Sequence, residues 1–178
     1  NYMKNKNLYT TRPNAVSYLY FLIIYFTIIK VGNFNKKKKI LDFGSGLGNL
    51  KKLNNKLKNP SKITNYDKIT HLSEIKKWDK KKFDTIVFCQ SAYMLSKKEL
   101  NLILNKIKKI NPKIEIIVVL STRSFLNRVM SKLLGHSDAY TGLKLNPKKE
   151  EQIFLSKCKI KNKINFLNLF KIFVFKFK

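Results

Sequence analysis

Residues 40–50 read Ile-Leu-Asp-Phe-Gly-Ser-Gly-Leu-Gly-Asn-Leu, and no other stretch constrains the fold as tightly. Ile40-Leu41-Asp42-Phe43 has the apolar character of a short buried strand and runs without a spacer into Gly44-Ser45-Gly46-Leu47-Gly48. Residues 49–58 then read as a helix, stopped near Pro60. A strand turned by glycines into a helix is the opening unit of an open α/β sheet, whose ligands gather at the carboxyl edge of the strands. Glycine supplies the unusual backbone angles of such a turn and lets a ligand approach where a side chain would collide.

The remainder continues the alternation. A second strand is expected over 62–66, ending at Asp67, with a one-turn strand at 70–72. Further strands are expected over 83–89 and 114–120, separated by an amphipathic helix over 97–110 that carries Leu100, Ile103, Leu104, Ile107 and Ile110 on one face. A helix over 124–134, a loop over 136–146 and a helix opened by Pro147 and running to 157 follow. Residues 159–178 alternate apolar and polar positions and read as two strands. Near-continuous Val/Ile/Leu strands separated by helices indicate parallel strands covered on both faces. The expected fold is therefore α/β: a Rossmann-like, doubly wound, mostly parallel sheet with an antiparallel C-terminal edge hairpin and helices on both faces.

The chain has 178 residues, enough for one domain. Residues 1–13 read as a basic arm, and Ala15 to Ile29, with Asn14 as N-cap, is the most apolar run. Fifteen residues fall short of the roughly twenty that span a bilayer, and the run has no small-residue cleavage site. Residues 1–30 are accordingly expected to form an arm and a helix packed on the domain, and residues 31–178 the domain itself, with a membrane-surface or partner-binding helix, or a signal anchor, as the alternatives. A cytoplasmic location is expected. The chain starts at Asn1, so a processed or incomplete N-terminus is also expected.

Thirty-eight basic residues against ten acidic ones give a formal charge of +28, and only Arg12, Arg123 and Arg128 are arginines. Abundant Lys, Asn, Ile, Phe and Tyr are residues of A/T-rich codons, and phosphate-clamping proteins favour arginine. The charge thus reads first as solvated faces, while a nucleic-acid partner and peripheral membrane contact stay open. Two cysteines, Cys89 and Cys158, exclude a disulfide scaffold and a Cys-rich zinc site, and no metal site is expected.

The detail of the glycine loop narrows its ligand. In a dinucleotide fingerprint the third glycine lies one place later; here it is Gly48, and Asn49 occupies the dinucleotide position. Asp42, two residues before the first glycine, would repel a pyrophosphate and suits a ligand carrying an ammonium and a sulfonium. Asp42-x-Gly44-x-Gly46-x-Gly48 resembles the first motif of class I S-adenosylmethionine-dependent methyltransferases, and the resemblance extends over about residues 36–178. It implies S-adenosyl-L-methionine as cofactor. It also implies that Asp42, Gly44, Ser45, Gly46 and Gly48 wrap its methionine part, that Asp67 accepts the ribose hydroxyls, and that Gln90 lies on the cofactor side.

The same resemblance puts Cys89 to Leu95 in the loop facing the transferred methyl and Asp138 to Gly142 in the substrate-side loop. The catalytic candidates are His136 and Tyr140, and the acceptor-contacting candidates are Tyr93 and Asp138. The short interval from Asp67 to Asp84 departs from the family, since the usual helix there is reduced or missing. Ser73 and Glu74 are the nearest candidates for an adenine contact. No Asn/Asp-Pro-Pro-aromatic signature and no Pro-Cys pair follow the strand over 83–89. The expected acceptor is therefore a small molecule, a sugar or glycan, or a lipid-linked intermediate. An RNA methyltransferase, or a non-catalytic binding module on the same fold, is the alternative.

Overall fold

The computed structural model describes residues 15–122, Ser124, Val129 and residues 144–178. Six strands form one sheet: β1 (Lys39–Phe43), β2 (Lys62–Tyr66), β3 (Thr85–Cys89), β4 (Glu115–Ser121), β5 (Cys158–Phe166) and β6 (Phe170–Phe177). Their order is β2-β1-β3-β4-β6-β5. The first four in that order are parallel neighbours, and β6 and β5 add an antiparallel edge. Among the described residues four α-helices accompany them: α1 (Ala15–Gly32), α2 (Asn49–Asn54), α3 (Lys97–Ile110) and α4 (Pro147–Lys157). This is the mostly parallel sheet with a C-terminal hairpin that the sequence implies.

Side chains alternate between the two faces of each strand, and both faces here are apolar. On one face Ile40, Val87, Ile117, Val119, Ile172 and Val174 meet Ile24 and Ile28 of α1 and Leu50 of α2. On the other, Leu41, Phe88, Val118 and Phe173 meet Leu100, Leu104 and Ile107 of α3 and Ile153 and Phe154 of α4. That double burial is why β4 reads as an unbroken apolar run. α3 starts at a complete capping box: Ser96 Oγ accepts from the Glu99 N–H at 3.2 Å, and Glu99 Oε2 accepts from the Ser96 N–H at 2.7 Å.

Several expected boundaries move. The helix expected over 49–58 ends at Asn54, whose buried side chain donates to the Ser61 carbonyl at 2.8 Å, while the N–H groups of Lys56 and Leu57 make tighter turn bonds. Asn54 and Asn55 are weak helix formers, and their amides compete for local backbone bonds. Thr70–Leu72 is a single 3-10 turn instead of a strand. β2 is consequently an edge, and Glu74 partly closes it: its N–H donates to the Asn65 carbonyl at 3.0 Å and its Oε2 accepts from the Asn65 N–H at 3.3 Å. The strands expected over 83–89 and 114–120 are shifted to 85–89 and 115–121, and β5 starts at Cys158. The basic arm, the helix expected over 124–134 (apart from Ser124 and Val129) and residues 136–143 of the expected loop lie outside the described residues.

Ile28 is fully buried between α1 and the sheet, whereas Leu102 on α3 is exposed. Ile28→Ala should lower the unfolding free energy in a urea titration by about 2–5 kcal/mol. Leu102→Ala should change it by less than about 0.5 kcal/mol. Equal effects would mean that α1 contributes nothing to the folded core.

Candidate functional site

The turn after β1 is built from three glycines in the left-handed region, with φ of +75° at Gly44, +52° at Gly46 and +68° at Gly48. The Tyr66 carbonyl at the end of β2 accepts from the N–H groups of both Gly44, at 2.7 Å, and Ser45, at 3.2 Å. Steric need accompanies the backbone angles. A Cβ on Gly44 would lie 2.5 Å from Ser91 Cβ, and one on Gly48 would lie 2.5 Å from Asn65 Nδ2. Ser91 Oγ in turn donates to the Phe43 carbonyl at 2.5 Å. The loop is thereby clamped between the carboxyl ends of β2 and β3.

Two acids flank it. Asp67 stands just after β2 and accepts from the Gly46 N–H at Oδ2, 3.0 Å, and from the Ile69 N–H at Oδ1, 2.9 Å. Asp42 is only 2% exposed and its Oδ1 has no hydrogen-bond partner; the buried Ser45 Oγ also lacks one. Burial, and then the charge of Asp67, push the Asp42 carboxyl up to about 7. Among the described residues neither acid forms a salt bridge. In a chain of +28, a buried Asp42 beside a half-buried Asp67, with no cation on either, is conspicuous, because an isolated buried charge is costly. The arrangement is suited to accepting a cationic group.

α1 and β3 form the other wall. Burial, and then the nearby Cys89 and Asp42, raise the Tyr25 hydroxyl far above its ordinary value, against a side-chain hydrogen bond with Asn49. Cys89 is partly exposed at the end of β3, and burial followed by the charge of Asp42 raises its thiol as well. Gln90 adopts φ of +51°, a sparsely populated conformation for a residue with a side chain. Its Nε2 donates to the Tyr20 hydroxyl at 3.0 Å. Strained backbone of this kind concentrates at functional sites.

Of the residues singled out in the sequence, Asp42, Gly44, Ser45, Gly46, Gly48, Asp67 and Gln90 thus meet at one edge of the sheet. Tyr93 lies in the following 3-10 turn, and its carbonyl accepts from the N–H groups of Lys144 and Leu145 at 3.1 and 3.2 Å. His136, Asp138 and Tyr140 lie outside the described residues. Glu74 pairs with Lys51 at 2.5 Å and bonds the open edge of β2, while Ser73 Oγ donates to the Ile75 carbonyl within its own turn. Sequence reasoning missed Tyr20, Tyr25, Asn49 and Ser91. Only the tyrosines left a signal, as polar tips on an otherwise apolar helix. Cys89, at the start of the loop expected to face the methyl, stands beside Asp42. Among the described residues no group of His, Cys, Asp or Glu side chains is placed to hold a metal ion.

No protein-family model and no curated protein matches the sequence. Solved structures do match the fold. A protein from Pyrococcus horikoshii OT3 is similar with a TM-score of 0.59 at 14% identity, over 99% of this chain and 98% of that one. A SAM dependent methyltransferase from Archaeoglobus fulgidus gives 0.59 at 12%, over 87% and 93%. The O-methyltransferase NcsB1 from neocarzinostatin biosynthesis, in complex with S-adenosylmethionine and 2-hydroxy-5-methyl naphthoic acid, gives 0.57 at 11%, over 89% and 57%. The chain therefore spans little more than half of NcsB1. At these identities the likeness establishes the fold, that of the class I methyltransferases.

The raised Asp42 pKa has a consequence for stability. The carboxyl holds its proton more tightly when folded, so its contribution is complete below about pH 4 and is lost as pH rises through about 7. Melting temperature should fall over that window, and Asp42→Asn should flatten the fall. A residual slope should persist, because burial pushes Glu150 up to about 8 in the same sense. An unchanged profile in the variant would show that Asp42 is ionised near its ordinary value.

Proposed function

We propose that the chain binds S-adenosylmethionine at the glycine loop and transfers its methyl group to a small-molecule, sugar or lipid-linked acceptor. The observation that carries this reading is the orphaned Oδ1 of buried Asp42 beside a loop that admits no Cβ at Gly44 or Gly48. The cofactor brings an electrophilic methyl on a sulfonium, together with an ammonium, and both positive groups suit an acid pair that has no cation of its own.

Asp42 and the loop from Gly44 to Gly48 would hold the methionine part. Asp67 would accept the ribose hydroxyls. Each of its oxygens takes one backbone N–H in this structure, and a carboxylate oxygen has a second lone pair to offer. Gln90, anchored on Tyr20, would line the methyl side. In-line displacement at a sulfonium needs chiefly proximity and alignment, which a loop clamped at both ends is built to give. Tyr93 and Asp138 are proposed to contact the acceptor. His136 is proposed as the base for a hydroxyl acceptor, with Tyr140 beside it. The bonds from Lys144 and Leu145 to Tyr93 support this reading, since they return the chain to the methyl side just after the segment carrying these residues. NcsB1, as its complex shows, takes an aromatic small molecule, which favours that class over a polymer.

Calorimetry tests the assignment. The wild-type chain should bind S-adenosylmethionine, and Asp67→Ala should weaken binding by about 1–3 kcal/mol, the cost of unpaired hydroxyls. Absence of binding by the wild type, or equal affinity in a variant that melts normally, would reject the reading.

A further inference from the structure

The ten carboxylates of this chain all lie between Asp42 and Glu151. The first forty-one residues hold eight basic side chains and no acid, and no acid follows Glu151. The fold brings these two acid-free ends together. α1 covers the sheet face that Ile164 and Phe166 of β5 also reach, and Phe26 and Lys30 of α1 share one groove with Asn162 and Ile164 of β5.

α1 is apolar on both sides. Its inner side, with Ile24 and Ile28, is buried on the sheet, yet Tyr18, Leu19 and Phe26 remain 56%, 59% and 52% exposed. Leu19 and Phe26 are seven residues apart and share a helix face, and exposed Lys30 stands one turn beyond Phe26. Exposed Lys36, Lys37 and Lys39 follow the helix, exposed Lys159 lies on β5, and exposed Lys161 of the same strand pairs with Glu115 at 2.5 Å. Among the described residues no helix is long and apolar enough to cross a membrane.

We propose that the outer face of α1, with the lysines around it, docks on the surface of an anionic lipid bilayer. Large apolar side chains bordered by lysines, with the nearby carboxylate of Glu115 already paired to Lys38 and Lys161, are what interfacial lipid binding requires: burial at the headgroup boundary combined with attraction to negative lipid. Charge complementarity selects this occupant over a second copy, which would bring the same lysines face to face. The aliphatic and aromatic ridge selects it over nucleic acid, which needs little beyond cations and stacking faces. The proposal is independent of the cofactor reading.

Co-sedimentation of the full chain with vesicles tests it. Vesicles of phosphatidylcholine with one third phosphatidylglycerol should bind the chain, phosphatidylcholine alone much less, and added salt should weaken the binding. Leu19→Glu with Phe26→Glu should reduce partitioning at least tenfold while leaving the melting temperature and S-adenosylmethionine affinity unchanged, because both side chains already face water. Lys36, Lys37 and Lys39→Gln together should reduce both the binding and its salt dependence. No binding to the anionic vesicles overturns the proposal, as does wild-type partitioning by the Leu19/Phe26 variant. A dimer in solution that this variant dissociates, or binding to an RNA oligonucleotide with no binding to vesicles, assigns the face to another partner and also overturns it.

Discussion

Asp67 joins the glycine loop to the sheet. Through the Gly46 N–H it fixes the loop's middle, and through the Ile69 N–H it fixes the exit of its own strand. The Tyr66 carbonyl secures the loop's first turn from the same strand end. Because β2 pairs with β1 in register from Lys39/Lys62 to Phe43/Tyr66, these few bonds also set where Asp42 is buried. The cost of holding Asp42 without a cation is carried by the packed sheet around it. A preorganised acid site of this kind gains most when a positive ligand arrives, since its own desolvation has already been met.

The parallel sheet was legible because its strands are apolar on both faces and the glycine turn is local. Asp42, Gly44, Gly46 and Gly48 lie within seven residues, and Asp67 lies at the next strand end, so one sequence window reports on the site. The partnerships across the fold were not legible. Tyr20 reaches Gln90 seventy positions away, and Ser91 reaches Phe43 from the neighbouring strand. Contacts of that range leave no periodic trace. The end of α2 at Asn54 was missed for a related reason, since its buried amide serves a carbonyl beyond the helix.

α1 couples the two ends of the molecule. Near its start Tyr20 touches Gln90 and packs edge-on against Phe170. At its other end the Lys38 ammonium bonds the Gly32 carbonyl and Glu115, both at 2.8 Å. The helix is thus fixed at the carboxyl edge of the strands by a hydroxyl and at the opposite edge by an ion pair. Its most apolar side chains are committed to the sheet between those points, which leaves the outer ridge as the part of the helix with no role in folding.

Among the described residues the sheet has two open margins, β2 on one side and β5 on the other. An unpaired strand edge is a template on which another chain can add itself, and proteins blunt such edges with charge, above all with lysine. β5 carries exposed Lys159, Lys161 and Lys163, with a register shift between Ile160 and Asn162, and β2 opens at exposed Lys62 with Glu74 bonded along its free side. Lysines that look like a by-product of codon usage therefore act as guards against edge-to-edge aggregation. The side chains that set the net charge thus also keep the margins of one sheet from joining those of another copy.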